Sequence, residues 1–512
     1  MSKLNEATQK MSQYRWTIVA MLFFATTINY LDRQVLSLTW KDFIAPEFHW
    51  TNTHYGTITS LFSLFYAVSM LLAGRFVDWL DTKKGFMWAI FVWSIGAVLH
   101  AFCGIATSGI LTGEWFVGFE EARHIIGGVQ DVTKILNVSV TLFIFARLVL
   151  AVGEAGNFPA AIKATAEYFP KKDRALATSI FNAGATVGAL AAPVTIPLIA
   201  KYWGWESAFI VIGALGFVWM GWWQFGYQKP DKHPKVNKAE LDYINQDQIN
   251  AEGGEEAARK ADAKKIGFGK ILKYKQTWAF AFGKFMTDGV WWFYLFWTPA
   301  YLSSVYGMQS SDPKAQIALF VLYMITLLSI VGGWLPSFFV DKKGMHPYAG
   351  RMKAMLIFAF FPLLALMAQP LGAISYWFPV IIIGIAGAAH QAWSANIFST
   401  IGDMFPKSAI ATVTGIGGMA GGLGSVLINK GSGILFDFTR GTTMENNEVV
   451  VMTQELLDKG YQYVTQPMQL FGFEGEKAGY LIVFSFCAVA YLIGWIVMKT
   501  LVPKYSPIVI ED

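Results

Sequence analysis

Apolar runs recur along the whole chain, and each is long enough to cross the hydrocarbon core of a bilayer, which is about 30 Å thick. There are twelve such runs, near residues 16–38, 54–76, 85–105, 138–161, 174–200, 205–227, 277–302, 315–340, 352–370, 375–402, 409–436 and 478–502. The pattern predicts an all-α membrane protein with twelve transmembrane helices.

One polar segment, residues 228–276, separates the runs into two sets of six. It holds eleven Lys or Arg, and part of it has a helical pattern. Basic residues are enriched in cytoplasmic loops, so we place this linker and both termini in the cytoplasm. The predicted domains are an N-terminal six-helix bundle (1–227), the linker, and a C-terminal six-helix bundle (277–512). The long loops on the other side are expected to form small external caps, at about residues 106–137 and 437–477.

The two sets of runs repeat each other weakly. Phe-Pro-Lys at 169–171 returns at 405–407, followed both times by an Ala-x-Ala-Thr run and a glycine-rich segment. Val-Asp at 77–78 with Lys-Lys-Gly at 83–85 is matched by Val-Asp-Lys-Lys-Gly at 340–344. Two pseudo-symmetric bundles are typical of transporters with alternating access, whose substrate site lies between the halves.

Composition agrees with a membrane location. Hydrophobic residues make up 54% of the 512 residues and charged residues 15%, against roughly 25% charged in soluble domains. The net charge of +5 comes from short loops, so nucleic acid is not an expected partner. Cys103 and Cys487 have no CxxC or His-rich neighbour, and we expect neither a metal nor a cofactor. The chain shows no HExxH or GxSxG motif that would indicate an enzyme.

Two charges interrupt an apolar run in the stretch Phe145 to Lys172. Arg147 and Glu154 are seven residues apart, which is two turns along one helix face. A charge at this depth is expensive unless it is paired or faces a polar interior, so the pair is a candidate functional site. The alternative is a structural bridge between helices.

The first predicted helix carries a polar stripe of Thr26, Asn29 or Tyr30, Arg33 and Ser37, spaced three and four residues apart. The planar guanidinium of Arg33 suits a carboxylate, and its alternative role is a bridge to a neighbouring acid. Asp32 lies about 100° further round the helix. We therefore expect the stripe to line a cavity.

Several motifs resemble the major facilitator superfamily. The run Gly74-Arg75-Phe76-Val77-Asp78 with Thr82-Lys83-Lys84 is similar to its loop signature, with Asp81 where glycine is usual. Asn29 to Arg33, and Arg147 through Glu154 to Pro159, resemble its anion:cation symporter family. Residues 167–170, 181–184 and 287–297 resemble the bacterial hexuronate transporters.

The resemblance implies a monomeric importer of a sugar acid, such as glucuronate or galacturonate, in the inner membrane, working by proton symport. It also implies that arginine holds the substrate carboxylate and that the acids take protons. We expect Glu154 with Arg147 to link protonation to substrate binding, and Asp32 to carry a second proton or to control the conformational switch. Besides Arg33, the candidate substrate-binding residues are Tyr30, Tyr66, Asn182, Trp297, Gln391, Trp393 and Asn396.

A further group of charges is predicted to act in gating. Asp78, Lys83 and Asp341 flank predicted cytoplasmic helix ends, where salt bridges would hold the halves together in the outward-facing state. Lys284 and Asp288 are four residues apart and suit an intrahelical pair. Alternatives to hexuronate import are a symporter of an aldonate or another organic anion, an organic-anion exchanger and, from a different class, a membrane sensor or enzyme.

Overall fold

The structure is a computed structural model that describes residues 11–246, 268–405, 407–445 and 448–508. A helix lies over each of the twelve apolar runs. In chain order these long helices are α1 Tyr14–Thr39, α2 Asn52–Leu80, α3 Thr82–Ala101, α4 Val132–Tyr168, α5 Lys171–Trp203, α6 Trp205–Gly226, α7 Lys275–Tyr306, α8 Pro313–Lys343, α9 Pro347–Gly372, α10 Trp377–Met404, α11 Lys407–Arg440 and α12 Glu476–Leu501. The chain turns within α4 between Glu154 and Asn157, and 3₁₀ turns interrupt α8 and α9.

Within the described ranges, nine of these helices are long and apolar enough to cross a membrane. The other three, α1, α7 and α11, contain 26, 32 and 34 residues, which is sufficient length at a rise of about 1.5 Å per residue. They are less apolar because α1 and α7 carry charges at mid-length and α11 is rich in glycine. The all-α membrane fold is thus confirmed, and the crossing by these three helices stays a prediction.

Short elements join the long helices. They are a π-helix at Trp40–Ile44, short helices at Ala45–Phe48, Cys103–Thr112, Phe119–Gly128, Pro230–Lys232, Lys238–Ile244, Phe268–Ile271 and Gln454–Asp458, and two hairpins, Thr442–Glu445 with Glu448–Val451 and Gln469–Leu470 with Phe473–Glu474. The linker contains the helix Lys238–Ile244, and the rest of the stretch expected to be helical falls in residues 247–267, outside the described ranges. Both long loops do carry secondary structure of their own.

The N-terminal helices α1–α6 and the C-terminal helices α7–α12 are hydrogen-bonded to each other at one end, which we call the latched end. There the Asp437 carboxylate of α11 accepts from the backbone N–H groups of Asn52 (3.0 Å) and Thr53 (2.6 Å) at the start of α2. Asp42 accepts from the hydroxyls of Ser303 and Ser310, at 2.5 and 2.8 Å.

The same joint continues towards the middle of the molecule. The Tyr55 hydroxyl donates to the carbonyl of Phe296 at 2.8 Å, and the hydroxyls of Ser63 and Ser425 lie 3.0 Å apart. Along α2, Ser63 is further from the latched end than Asn52, Thr53 and Tyr55, so its contact with Ser425 lies furthest from that end. The latch therefore extends from one surface of the protein towards its centre.

The opposite end, where the linker begins, we call the linker end. At this end the hydrogen bonds link each set of helices to the segment that follows it: the linker follows α6, and the C-terminal residues follow α12. Glu240 of the linker is buried and accepts from the backbone N–H groups of Tyr14 and Arg15, both at 3.1 Å. The Tyr348 hydroxyl of α9 donates to the carbonyl of Val502 at 2.8 Å. Glu240 thus supplies the acceptor that the first N–H groups of α1 need.

Asp81 keeps the turn between α2 and α3 that glycine usually forms. Its φ of 71° is in the left-handed region, where a side chain is strained. Its carboxylate accepts from the N–H of Thr82 at 2.8 Å and pairs with Lys229 at 3.2 Å. The side chain therefore offsets part of the strain by capping α3.

Glycines let several helices approach closely. A Cβ at Gly184 or Gly188 would lie 2.3 or 2.5 Å from backbone oxygens of α1, and one at Gly424 would lie 2.0 Å from the carbonyl oxygen of Phe285 on α7. Gly418, on the same helix as Gly424, has nothing within 4 Å of its Cβ position. Close packing thus depends on particular glycines of α11.

Gly424→Ala should lower the stability of the protein because the added methyl group meets the backbone of α7. Overpacking of this kind typically costs about 1–3 kcal/mol, visible as a lower Tm of the purified protein in detergent. The matched control is Gly418→Ala, which should leave Tm unchanged or slightly higher, since alanine favours helix. Equal effects of the two substitutions would contradict the packing described.

Glu47, in the short helix after the π-helix, should make stability depend on pH. Burial raises the pKa of its carboxyl from 4.5 to about 7, against the hydrogen bond from Trp205 and with the added repulsion of Glu206. A raised carboxyl pKa means that the folded state keeps a proton which the unfolded state has lost, so stability falls as pH rises from about 4.5 to about 7. We expect Glu47→Gln to reduce the fall in Tm between pH 5 and pH 8, equivalent to about 1–3 kcal/mol. A variant with the wild-type pH profile would show that Glu47 does not titrate in this range.

Candidate functional site

A buried ion pair joins α1 to α4. Arg33 donates from Nε (3.0 Å) and Nη2 (2.7 Å) to Oε2 of Glu154, and the two side chains are 4% and 0% exposed. The prediction that Glu154 pairs with Arg147 is therefore wrong. Seven residues along a helix separate two Cα atoms by about 10.5 Å, whereas the neighbouring helix brings Arg33 into direct contact.

Arg147 and Asp32 complete a group of four charges. Asp32 lies close enough to Glu154, Arg147 and Arg33 for their charges to interact. All four side chains are buried. Two positive and two negative charges thus share one low-dielectric region between α1 and α4.

Many polar atoms of this region have no hydrogen-bond partner among the described residues. They include both carboxylate oxygens of Asp32, Nε and Nη1 of Arg147, Oε1 of Glu154, and the side-chain amides of Asn29 and Asn157. Buried polar atoms are nearly always hydrogen-bonded in native proteins. Such a concentration of unpaired donors and acceptors is typical of a binding region rather than a packed core.

Four aromatic rings surround the guanidinium of Arg33, and we call them the Arg33 cage. Its carbon Cζ lies 5.2 Å from the ring centre of Tyr30, 6.0 Å from Phe62, 4.7 Å from Tyr66 and 5.0 Å from Trp292. A desolvated cation above an aromatic face gains about 2 kcal/mol. The cage keeps bulk water from Arg33, so the guanidinium charge is balanced by nearby protein groups such as the Glu154 carboxylate.

The cage draws on both sets of helices, since Trp292 belongs to α7. Trp292 lies within the motif at residues 287–297, but nothing in the sequence predicts that it belongs to the site. The neighbouring Trp291 instead stacks on His390, with ring centres 5.4 Å apart. Two adjacent tryptophans are equivalent in sequence, and only the orientation of α7 decides which one meets Arg33. Phe62 was missed likewise, and it also lies 5.1 Å from the guanidinium of Arg147.

Two other predicted substrate-binding residues, Trp297 and Asn396, have hydrogen-bond partners within the protein. Trp297 donates to Oδ1 of Asn429 (2.9 Å) and packs on Trp40 and Tyr55 in the latch. Asn396 donates to the carbonyls of Gly332 and Ala392, both at 2.8 Å, and so ties α10 to α8.

Trp393, Gln391 and Asn182 differ in their exposure. Trp393 is buried edge-to-face on Tyr491, with ring centres 5.6 Å apart. Gln391 is half-buried and Asn182 is exposed. The structure therefore brings Tyr30 and Tyr66 to Arg33. It gives Trp297, Trp393 and Asn396 partners within the protein, and a substrate-binding role for these residues, Gln391 and Asn182 stays a prediction.

The residues predicted to act in gating are spread along the molecule. Lys284 and Asp288 form the expected pair, with Nζ and Oδ2 2.7 Å apart. Lys83 donates to the carbonyl of Gln224 at 2.7 Å, and Asp341 is exposed. The side chain of Asp78 lies outside the described part of the chain. A gating role for these residues stays a prediction.

The known proteins that match this chain are described as transporters. A family model described as Major Facilitator Superfamily matches residues 22–428. The hexuronate transporter of Escherichia coli (strain K12) is 29% identical over 434 residues, 84% of this chain and 89% of that protein. The galacturonate transporter of Dickeya chrysanthemi is 26% identical over 331 residues, 64% and 84% of the two chains. The probable galactarate/D-glucarate transporter GarP of Escherichia coli (strain K12) is 27% identical over 338 residues, 65% and 68% of the two chains.

Solved structures show the same fold at lower identity. A bacterial homolog to the human lysosomal transporter Spinster, in an inward-facing and occupied conformation, superposes with a TM-score of 0.64 at 17% identity, covering 96% of this chain and 97% of that one. A D-xylose-proton symporter superposes with a TM-score of 0.58 at 15% identity, covering 97% and 98%.

The ion-pair partner of Glu154 can be tested by a double-mutant cycle. Glu154→Leu alone leaves a buried guanidinium uncompensated and should cost about 3–5 kcal/mol, measured as a lower Tm in detergent. Adding Arg33→Met should recover most of that loss. Adding Arg147→Met is the matched control and should recover at least about 1 kcal/mol less, because this arginine does not hydrogen-bond to Glu154. Equal recovery from both arginines would contradict the pairing.

Proposed function

The chain belongs to the Major Facilitator Superfamily, and we propose that it imports a sugar acid, a hexuronate such as glucuronate or galacturonate, by proton symport with alternating access. Its family and relatives are transporters rather than enzymes. The hexuronate and galacturonate transporters among those relatives support an organic anion as the cargo. The protein works as a monomer in the inner membrane.

The Arg33–Glu154 pair inside the Arg33 cage is the observation that carries this proposal. Arg33 offers a planar set of donors to a carboxylate, and in the structure the Glu154 carboxylate occupies them. A substrate carboxylate and an ionised Glu154 at the same guanidinium would place two negative charges side by side. In a low-dielectric site this repulsion amounts to several kcal/mol. The substrate therefore binds when Glu154 takes up a proton and releases Arg33.

Coupling follows from this exchange of partners. When the proton leaves Glu154, its carboxylate competes for Arg33 again and favours release of the substrate. Binding of either the proton or the anion thus makes binding of the other more favourable, and the effect is reciprocal. In this scheme one proton accompanies each carboxylate.

Asp32 and Arg147 form the second part of the mechanism. Asp32 is buried, its oxygens have no hydrogen-bond partner among the described residues, and it lies within electrostatic reach of both arginines. A proton on Asp32 changes the balance of charge between α1 and α4 without displacing a hydrogen bond. Asp32 therefore carries a second proton or controls the conformational switch.

The Arg33 cage also gives a sugar a place to bind. Aromatic faces such as those of Tyr66 and Trp292 suit the apolar face of a sugar ring, while the Tyr30 and Tyr66 hydroxyls and the Asn29 and Asn157 amides can pair with its hydroxyl groups. Because Trp292 comes from α7, substrate at this position contacts both sets of helices. That is the position from which a substrate can influence their relative movement.

The linker end faces the cytoplasm in this scheme, because it carries the basic linker and loops. The latched end then faces outward, and the structure represents the inward-facing state. The exposed Asp341 agrees with a state in which the predicted salt bridges between the halves at the linker end are not formed. Asp78, Lys83 and Asp341 would hold the halves together when the site faces outward.

Glu154→Gln tests the coupling directly. A neutral glutamine mimics the protonated acid, so Arg33 remains free for substrate but the proton gradient no longer drives uptake. In proteoliposomes with an imposed pH gradient, accumulation of labelled glucuronate should fall at least about tenfold, to its equilibrium level. Counterflow against unlabelled glucuronate inside the vesicles should persist.

Glu206→Gln provides the matched control. Glu206 is also buried and pairs with an arginine, Arg123, at 2.5 Å, but it lies at the latched end. This variant should accumulate glucuronate like the wild type. Wild-type accumulation by Glu154→Gln would overturn the proposed coupling, and absence of glucuronate counterflow in the wild type would overturn the substrate.

A further inference from the structure

The start of α2 holds a carboxylate that comes from the other set of helices. Asp437 of α11 is buried and accepts from the backbone N–H groups of Asn52 (3.0 Å) and Thr53 (2.6 Å). The first N–H groups of a helix have no partner within it, and the helix dipole favours an anion there. The N-terminal helices therefore contain a position that binds a carboxylate, and in this structure the C-terminal helices supply that carboxylate.

The side chains beside this position have donors to spare. Asn52 is 0% exposed, and its Nδ2 has no hydrogen-bond partner among the described residues. An ammonium can donate three hydrogen bonds, and in the described part of the chain Lys41 makes a long one, 3.4 Å, to Oδ1 of Asn52. Oε1 of Glu476, on α12, is 4.0 Å from the ammonium, and the Lys41 side chain is 17% exposed. A mostly buried cation thus adjoins the start of α2 without a close carboxylate of its own.

The two sets of helices divide this group cleanly. Lys41, Asn52 and Thr53 belong to the N-terminal set, whereas Asp437 and Glu476 belong to the C-terminal set. Alternating access requires the sets to separate at the latched end, and both acids then leave together. Two backbone donors, one side-chain amide and one cation remain, and they face the widening gap.

The position of Lys41 on α1 relates this group to the Arg33 cage. Arg33, Ser37 and Lys41 are four residues apart, so Lys41 extends the polar stripe of α1 towards the latched end. Eight residues correspond to about 12 Å along a helix. Asp42 lies roughly a quarter of a turn further round, where it accepts from Ser303. A carboxylate that leaves Lys41 can therefore reach Arg33 along one face of α1.

We propose that Lys41 and the start of α2 form an entry site for the substrate carboxylate in the outward-facing state, and that Asp437 occupies this site when the latched end closes. The inference rests on the proposed function and adds a second binding position for the same anion. The arriving carboxylate takes the place of Asp437 and then passes to Arg33. Asp437 returns to the start of α2 and closes the latched end behind it. One carboxylate replaces another, so the donors of the site are satisfied in both states.

The Michaelis constant for glucuronate at each face of the membrane tests this inference. It is measured for the full-length protein by counterflow without a pH gradient, in right-side-out vesicles for the outer face and inside-out vesicles for the inner face. Lys41→Gln should raise the outer KM at least about fivefold, because a charge-assisted hydrogen bond to the carboxylate is lost. The inner KM should stay at the wild-type value. Lys41→Arg, which keeps the cation, should retain most of the wild-type outer KM.

The direction of the change separates binding from latching. Lys41 faces Glu476 across the latch, so if it only held the sets together its loss would favour the outward-facing state and lower the outer KM. Glu476→Gln weakens the same contact but keeps the cation, and it should lower the outer KM or leave it unchanged. Lys134→Gln is the matched control, since Lys134 is 71% exposed at the same end of the N-terminal helices. It should leave both constants unchanged.

Asn52→Pro provides a second test that changes no charge. Proline suits the first position of a helix, and Thr51 before it is extended, with a ψ of 173°. The substitution removes one backbone N–H and the side-chain amide, so it should raise the outer KM at least about threefold.

An unchanged or lower outer KM in Lys41→Gln would overturn the inference, as would an equal rise at both faces. If Lys41→Gln does not fold, the same outcomes in Asn52→Pro decide the question. These results leave the proposed function standing. Absence of saturable glucuronate counterflow in the wild type would instead reject the proposed function, and this inference with it.

Discussion

The guanidinium of Arg33 is 4% exposed among helices whose outer faces are apolar, where a charge without a partner would cost several kcal/mol. Three features of the structure meet that demand. Glu154 supplies the opposite charge from α4, four aromatic rings supply polarisable surfaces, and Trp292 brings α7 into the same site. Because the demand persists whatever occupies the site, any anion that takes the place of Glu154 must satisfy it equally well. The carboxylate selectivity and the sensitivity to protonation that we propose both follow from this one constraint.

The sequence predicted the helices well because the hydrocarbon core imposes a length and a composition that can be counted. It also identified Arg33, Glu154, Asp32, Tyr30 and Tyr66, since polar residues within apolar runs are conspicuous. It assigned Glu154 to the wrong arginine, because spacing along one helix says nothing about the helix beside it. The cage residue Trp292 was not separable from Trp291 for the same reason.

The polar side chains of α10 show that a predicted ligand can also have a structural use. Asn396 looked like a sugar ligand, yet it donates to two backbone carbonyls and holds α10 against α8. A hydrogen-bonding group inside an apolar run can satisfy backbone as well as substrate. Only the positions of neighbouring helices distinguish these uses. The linker helix shows a milder case: Glu240 caps α1 from more than 220 residues away, a contact that no local pattern could reveal.

The four charges of the Arg33 region sum to zero when both acids are ionised. A carrier whose mobile site is neutral can reorient in an electric field without doing electrical work, so the membrane potential does not bias its empty form. Uptake of one proton with one monoanion is electrically silent as well, and its driving force is the pH gradient alone. A second proton would move one net charge inward, which adds about 2.3 kcal/mol per 100 mV. For a symporter of the proposed kind, the number of protons that these four side chains take up would therefore decide whether the membrane potential, or only the pH gradient, drives uptake.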